Sequence, residues 1–289
     1  MYYALIILSV IMFGGSFALN DAYQKRRGSS VKISLWFSLI GSSAGAVVLF
    51  FANGFKFEFT PFTLVMALIG SAIGFGFTFC GFRALGTINL SLYSLFSMLG
   101  GMLLPFLQGI IFYGEGITVA KIVCFVFIVA ALMLTVERGE KKSGAIYYVG
   151  VFVLNGLSGV FSKIFASTTS FEKTSATGYA LLMAGCTAVI SAIILLIFFR
   201  KKDDSIPPET PVGVGICVTH GTINRIANLM LVIALAHVDA SVQYPMVTGG
   251  VMIVSTLICF FGKNKPSKKE ILSVIIAFVG MLALFAIPI

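Results

Sequence analysis

A chain of 289 residues that is 58% hydrophobic and only 11% charged departs from the composition of a soluble domain, in which roughly a quarter of the residues carry charge. Its mean hydropathy of +1.02 assigns most of it to lipid. The net charge of +9 would invite a nucleic-acid partner, but no folded basic motif of that kind is present.

Ten apolar runs follow one another: 3–21, 33–52, 62–84, 90–113, 118–136, 145–166, 176–199, 211–236, 240–262 and 270–288. Each is about 19 to 26 residues, enough to cross a hydrocarbon layer of roughly 30 Å as a helix. The alternation that a β-barrel requires is missing. The fold expected is an all-α integral membrane protein of ten transmembrane helices. The apolar start, Met1 to Ile11, has no basic leader or small-residue cleavage site and reads as a retained helix. The polar stretches are short: 137–143 separates the halves, and 200–211, with Asp203, Asp204, Pro207 and Pro208, reads as a solvated turn.

Five runs precede the 137–144 connector and five follow it. An odd number forces the second set, 145–289, to lie inverted in the membrane relative to the first, 1–136, and inverted repeats of this kind place a solute site near the midplane between them. A shift of 150 aligns Ala84, Leu85, Ser91, Gly100, Met102 and Leu107 with Ala234, Leu235, Ser241, Gly250, Met252 and Leu257. Small-residue steps, Gly41 with Gly45 and Gly70 with Gly74, predict close helix crossings.

Basic residues set the orientation. With the amino terminus outside, the inner loops carry Lys25, Arg26, Arg27, Lys32, Arg83, Arg138, Lys141, Lys142, Arg200, Lys201, Lys202, Lys263, Lys265, Lys268 and Lys269, against Lys56, Lys121, Lys163 and Lys173 outside. This asymmetry predicts both termini on the extracytoplasmic side of a prokaryotic plasma membrane. The five cysteines, Cys80, Cys124, Cys186, Cys217 and Cys259, fall one per run and read as small packing residues rather than disulfide or metal ligands.

Polar groups at membrane depth carry the chemistry, because each is expensive there unless it faces protein or a water-filled cavity. In the eighth run His220, Asn224 and Asn228 fall on an arc of about 80°, with Gly221 and then Arg225 about 60° further round. Their counterparts in the first half are Gly70, Gly74, Thr78 and Phe75, so the charge belongs to one half only. Asn155, Ser158, Gly159 and Ser162 form a milder stripe on the sixth run. Ser16 and Asn20, Ser97, and Gln243 and Tyr244 complete a candidate substrate cavity from the first, fourth and ninth runs. Arg225 has a plainer reading as an interhelical tie to carbonyls, Asp21 or Asp239, and His220 as a packing residue.

No acidic residue lies mid-run: Asp21, Glu115, Glu172 and Asp239 are placed at or near ends. A cation would meet Arg225 and be repelled, whereas a carboxylate or phosphate could accept paired hydrogen bonds from its guanidinium. The favoured ligand is therefore a small anionic or zwitterionic solute: an amino acid, organic acid or phosphorylated metabolite. No nucleotide-binding loop of the Walker type occurs, and no cofactor or metal is called for. His220, whose unperturbed pKa of about 6.5 is the only mid-run value near neutrality, is the candidate proton carrier. A single chain suffices for the lining, so no oligomer is required.

The stretch Phe79 to Val136, with Ala84-Leu85 closing one helix, a glycine-rich helix ending in Gly114-Glu115 and a further helix opening at Thr118, resembles the repeat unit of the drug/metabolite transporter superfamily, EamA type. The second half resembles it weakly through Ala234-Leu235 and Gly262-Lys263. The resemblance implies a central cavity lined by the first, third, fourth, sixth, eighth and ninth helices, and alternating access for small organic solutes. This chain departs from the pattern in the positions of Pro105 and Pro245, in Lys263 opposite Glu115, and in the charge-derived orientation, which is opposite to that of many relatives. Weaker readings are a non-transporting membrane scaffold, a cationic-drug exporter and an intramembrane enzyme; the last lacks HExxH and GxSxG patterns and has only His220 and His237.

Overall fold

The structure is a computed structural model describing residues 1–28, 30–85, 90–134, 145–198, 210–261 and 267–287. Ten helices fill the described residues: α1 Tyr2–Arg27, α2 Val31–Ala52, α3 Pro61–Leu85, α4 Leu90–Tyr113, α5 Val119–Leu134, α6 Ala145–Ser167, α7 Ala176–Phe198, α8 Pro211–Leu235, α9 Ala240–Phe261 and α10 Lys268–Ala286. The predicted turn at Asp203 to Pro208, the 137–144 connector and Lys263 lie outside the described residues. Eight helices are long and apolar enough to cross a membrane. Their outward faces carry large apolar side chains such as Ile7, Val65 and Val189, and the shorter apolar stretches of α5 and α10 likewise expose Val126 and Ile275.

Boundaries follow local chemistry. Ser30 opens α2 by accepting from the Ile33 N–H at 3.3 Å, and Thr210, followed by Pro211 at the first helical position, accepts from Gly213 at 3.1 Å. Gly114, at φ 64°, adopts the left-handed backbone beyond the end of α4. The largest departure from the expected boundaries is in α1, which continues through the polar run to Arg27, so Asp21 lies inside a helix rather than at its end. A basic last turn favours that extension because Lys25, Arg26 and Arg27 complement the negative end of the helix dipole.

Close crossings rest on glycine. A Cβ on Gly221 of α8 would collide with the backbone of Gly41 in α2, and one on Gly45 would stand 2.6 Å from Cγ of Arg225. Gly41 and Gly45 thus form a true helix contact, as their spacing predicts. The second predicted pair is only half right: Gly70 faces Met183 and Tyr179, while Gly74 has nothing near it. Gly100 of α4 similarly meets the backbone of Phe152 in α6.

Contacts between connectors gather five segments at one end of the bundle. The 53–60 connector meets 168–175 through Glu58, which accepts from the Ser175 N–H at 2.7 Å and the Ser175 hydroxyl at 2.8 Å. The 114–118 connector meets the start of α9 through Glu115, and Tyr2 stacks on His237 at 4.0 Å. Four of the cysteines, Cys80, Cys124, Cys186 and Cys217, are free thiols.

Two outcomes follow. Gly221→Ala is expected to lower the unfolding temperature in detergent far more than Gly15→Ala, whose added Cβ meets nothing; the crossing cost should be about 1–3 kcal/mol, and equal melting would remove the backbone contact from the fold. Glu58 caps α7 from a neighbouring connector, and the hydrogen bond from the Ser175 N–H holds its carboxyl below the ordinary 4.5 despite partial burial. A depressed folded pKa adds stability that is present above the unfolded value and lost as pH falls through the folded one. Glu58→Gln should therefore cost up to about 1 kcal/mol at neutral pH, with the gap to wild type closing below pH 4.5; a gap that persists in acid would show that charge is not involved.

Candidate functional site

Arg225 is the fifteenth residue of the 25-residue α8, about 15 Å along the axis from Leu235 at a rise of 1.5 Å per residue. Its stem lies on the bare backbone of Gly45, and its Nη2 donates to Ser42 Oγ at 2.9 Å. Among the described residues no carboxylate pairs with it. Asp239, one expected partner, is instead joined to Lys121 at 2.7 Å, and the side chain of Asp21 is outside the described set. Of its guanidinium nitrogens only Nη2 has a hydrogen-bond partner among the described residues, so donors remain for a further partner.

The polar stripe of α8 does not face one direction, as the helical wheel suggested. Asn224 points at α1, donating to Ser16 Oγ at 3.4 Å, whereas Arg225 turns to α2. Residues one apart differ by 100° on a helix, and α8 is flanked by both α1 and α2. Asn228 donates back to the Asn224 carbonyl at 2.8 Å and to its side-chain oxygen at 3.0 Å, which orients the Asn224 amide. His220 packs obliquely on Phe37 at 4.4 Å, beyond which lies Tyr23.

The remaining predicted residues join other helix pairs. Asn155 of α6 donates to the Ser97 carbonyl of α4 at 2.7 Å and to its hydroxyl at 3.3 Å. Tyr244 of α9 donates to the Gly159 carbonyl at 2.9 Å. Gln243, fully buried, donates to Leu231 at 3.1 Å. Ser158 lends its carbonyl to Ser162. Asn20 accepts from Gln24 at 3.1 Å along α1, an interaction within one helix that brings no second element to the site. Ser16, Asn224 and Arg225 therefore converge around α8, while Asn155, Ser97 and Tyr244 converge around α6.

Two participants escape a sequence reading. Ser42 is one of several serines in a small-residue run, and only the crossing at Gly41 selects it. Tyr179 of α7, buried against Phe165 at 3.9 Å, brings its hydroxyl toward Ser162 and close enough to Arg225 to feel its charge. Neither has a periodic signal; that Tyr179 is the one aromatic residue of α7 before Phe198 is the only hint. A groove of about 490 Å³ lies elsewhere, between α4 and α6, with walls that include Leu104, Leu107, Ile111, Leu157 and Val160 and with Gln108 as a polar member. None of the predicted site residues lines it.

No family model matches the chain, and no curated protein matches it. Among solved structures, one described only as a crystal structure of a protein superposes with a TM-score of 0.77 over 98% of this chain and 98% of its own length, at 17% sequence identity. At that identity the likeness concerns the fold: the ten-helix arrangement recurs in an experimentally determined molecule.

Proposed function

We propose that this chain is a multi-pass membrane transporter of the drug/metabolite type, in which two inverted five-helix halves move a small anionic or zwitterionic solute by alternating access, with no chemical step. The pairing of helices supports the repeat. α1 packs on α8 and α9 while α6 packs on α3 and α4; α2 packs on α8 while α7 packs on α3; and α2–α7, α4–α9 and α5–α10 pair with their own counterparts. Exchanging the halves leaves each of those pairings in place. Apolar outward faces support the lipid setting, and the excess of basic residues away from the Met1 end supports extracytoplasmic termini.

The observation that carries the solute class is Arg225. Placing a guanidinium at mid-depth costs at least about 2.5–3.5 kcal/mol on insertion scales, and one serine hydroxyl does not neutralise it. A solute anion supplies the missing charge, and the planar fork gives it two parallel hydrogen bonds. A cationic drug would be repelled by the same group. The scaffold and enzyme readings gain no comparable observation.

Purified protein screened by thermal shift against amino acids, organic acids and phosphorylated metabolites should be stabilised by one acidic class. For that class, affinity should fall about tenfold in Arg225→Lys and about a hundredfold in Arg225→Gln, with folding retained. Arg225→Gln that binds normally but unfolds readily would make the residue a structural tie to Ser42. Topology has its own measurement: a reporter active only in the periplasm, fused after Ile289, should be active and a cytoplasmic one silent. The reverse pattern would invert the orientation.

A further inference from the structure

Two ion pairs sit at the Met1 end, and both join the first half of the chain to the second. Lys121 of α5 meets Asp239 before α9, where Asp239 is half exposed. Glu115 meets Lys163 of α6 at 3.0 Å with both side chains more than nine-tenths buried. The Glu115 carboxylate also accepts from the Ala240 N–H at 2.8 Å, the Ser241 N–H at 2.8 Å and the Ser241 hydroxyl at 2.6 Å. It therefore caps α9 from another connector while neutralising a cation on α6. Its own N–H bonds to Gly109 at 3.1 Å, and a side chain at Gly109 would occupy the place of the carboxylate. The Lys163 ammonium also lies over the Tyr113 ring at 5.2 Å.

We infer that Glu115 is the latch that closes the bundle at the Met1 end, and that its release from α9 and Lys163 opens a path from that side to the polar residues of α6 and α8. The inference rests on the alternating-access reading, in which bonds crossing between the halves at one end must break when that end opens. Glu115 makes four such bonds from a single carboxylate. The element has two stable positions. Closed, the two charges compensate one another in a dry site; open, each is hydrated. Removing one charge alone penalises only the closed position, because the other is then buried without compensation. Removing both lifts that penalty.

Ser158 lies five residues before Lys163 on α6, about 7.5 Å deeper along the axis, and reports access beneath the latch. In vesicles of known sidedness, S158C is treated from the Met1 side with a membrane-impermeant maleimide, and labelling is counted above that of the chain lacking the new cysteine. Glu115→Gln is expected to raise the labelling rate at least about tenfold, and the double variant Glu115→Gln with Lys163→Met to return it near the parent rate. Glu58→Gln, which also removes a cap between the halves but leaves no buried charge unpaired, should raise it less than about threefold. A parent-like rate in Glu115→Gln overturns the latch; so does a double variant as fast as the single one, or an equal rise in Glu58→Gln. If Glu115→Gln does not fold, Lys163→Met alone is read: it keeps the α9 cap, so a rise of about threefold is expected, and no rise overturns the inference. Labelling needs no solute, so the latch stands or falls on this measurement whether or not an acidic solute is ever bound.

Discussion

The contact between α2 and α8 at Gly41 and Gly221 is the constraint on which the site depends. Without side chains at these positions the two backbones meet, and one turn further along the Arg225 stem lies directly on Gly45. The guanidinium is thereby carried to Ser42 rather than to an acidic side chain. Glycine has a conformational cost in a helix interior of about 0.5–1 kcal/mol relative to alanine. It is offset here by the dispersion contacts that the close approach of the two backbones allows along the crossing.

Charge is distributed in a consistent way along the axis. At the Met1 end, acids and bases compensate: Glu115 with Lys163 and Asp239 with Lys121. Lys173 is a third basic group there, donating to the carbonyls of Phe165 and Ala166 at the end of α6; desolvation pushes its ammonium below the ordinary 10.5. Burial by itself would raise the Glu115 carboxyl, yet the Ser241 and Ala240 donors and Lys163 together hold it below the ordinary 4.5, so it stays ionised at neutral pH. At mid-depth the polar groups are amides and hydroxyls tied to one another, and Arg225 is the cation they do not compensate. Hydrogen bonds of Asn155, Tyr244 and Gln243 to carbonyls on neighbouring helices orient helices without adding charge, which suits a medium that penalises ions more than amides.

These arrangements also explain where a helical wheel loses information. The wheel groups His220, Asn224, Asn228 and Arg225 by angle, but angle has meaning only relative to a neighbour. With α1 on one side and α2 on the other, two adjacent residues, Asn224 and Arg225, serve different contacts. Glycine spacing has the same weakness: Gly41 with Gly45 and Gly70 with Gly74 have equal spacing, yet Gly74 meets no other helix. Carboxylates show it again, since position near a run's end identifies Glu115 as a connector residue but not as the cap of a helix more than a hundred residues later.

The sequence by itself determined the ten helices, because each is one long apolar run that ends where glycine, proline or charge makes burial costly; α4 is matched to the residue, and α1 departs mainly where its basic tail remains helical. It also determined which polar residues lie far from helix ends, since that depends only on position within a run. Only the tertiary structure decided partners: Ser42 for Arg225, Ser97 for Asn155, Lys163 and the α9 amides for Glu115. Partnership depends on which helices touch and at what rotation, and that is settled by packing among all ten helices at once, not by any single run.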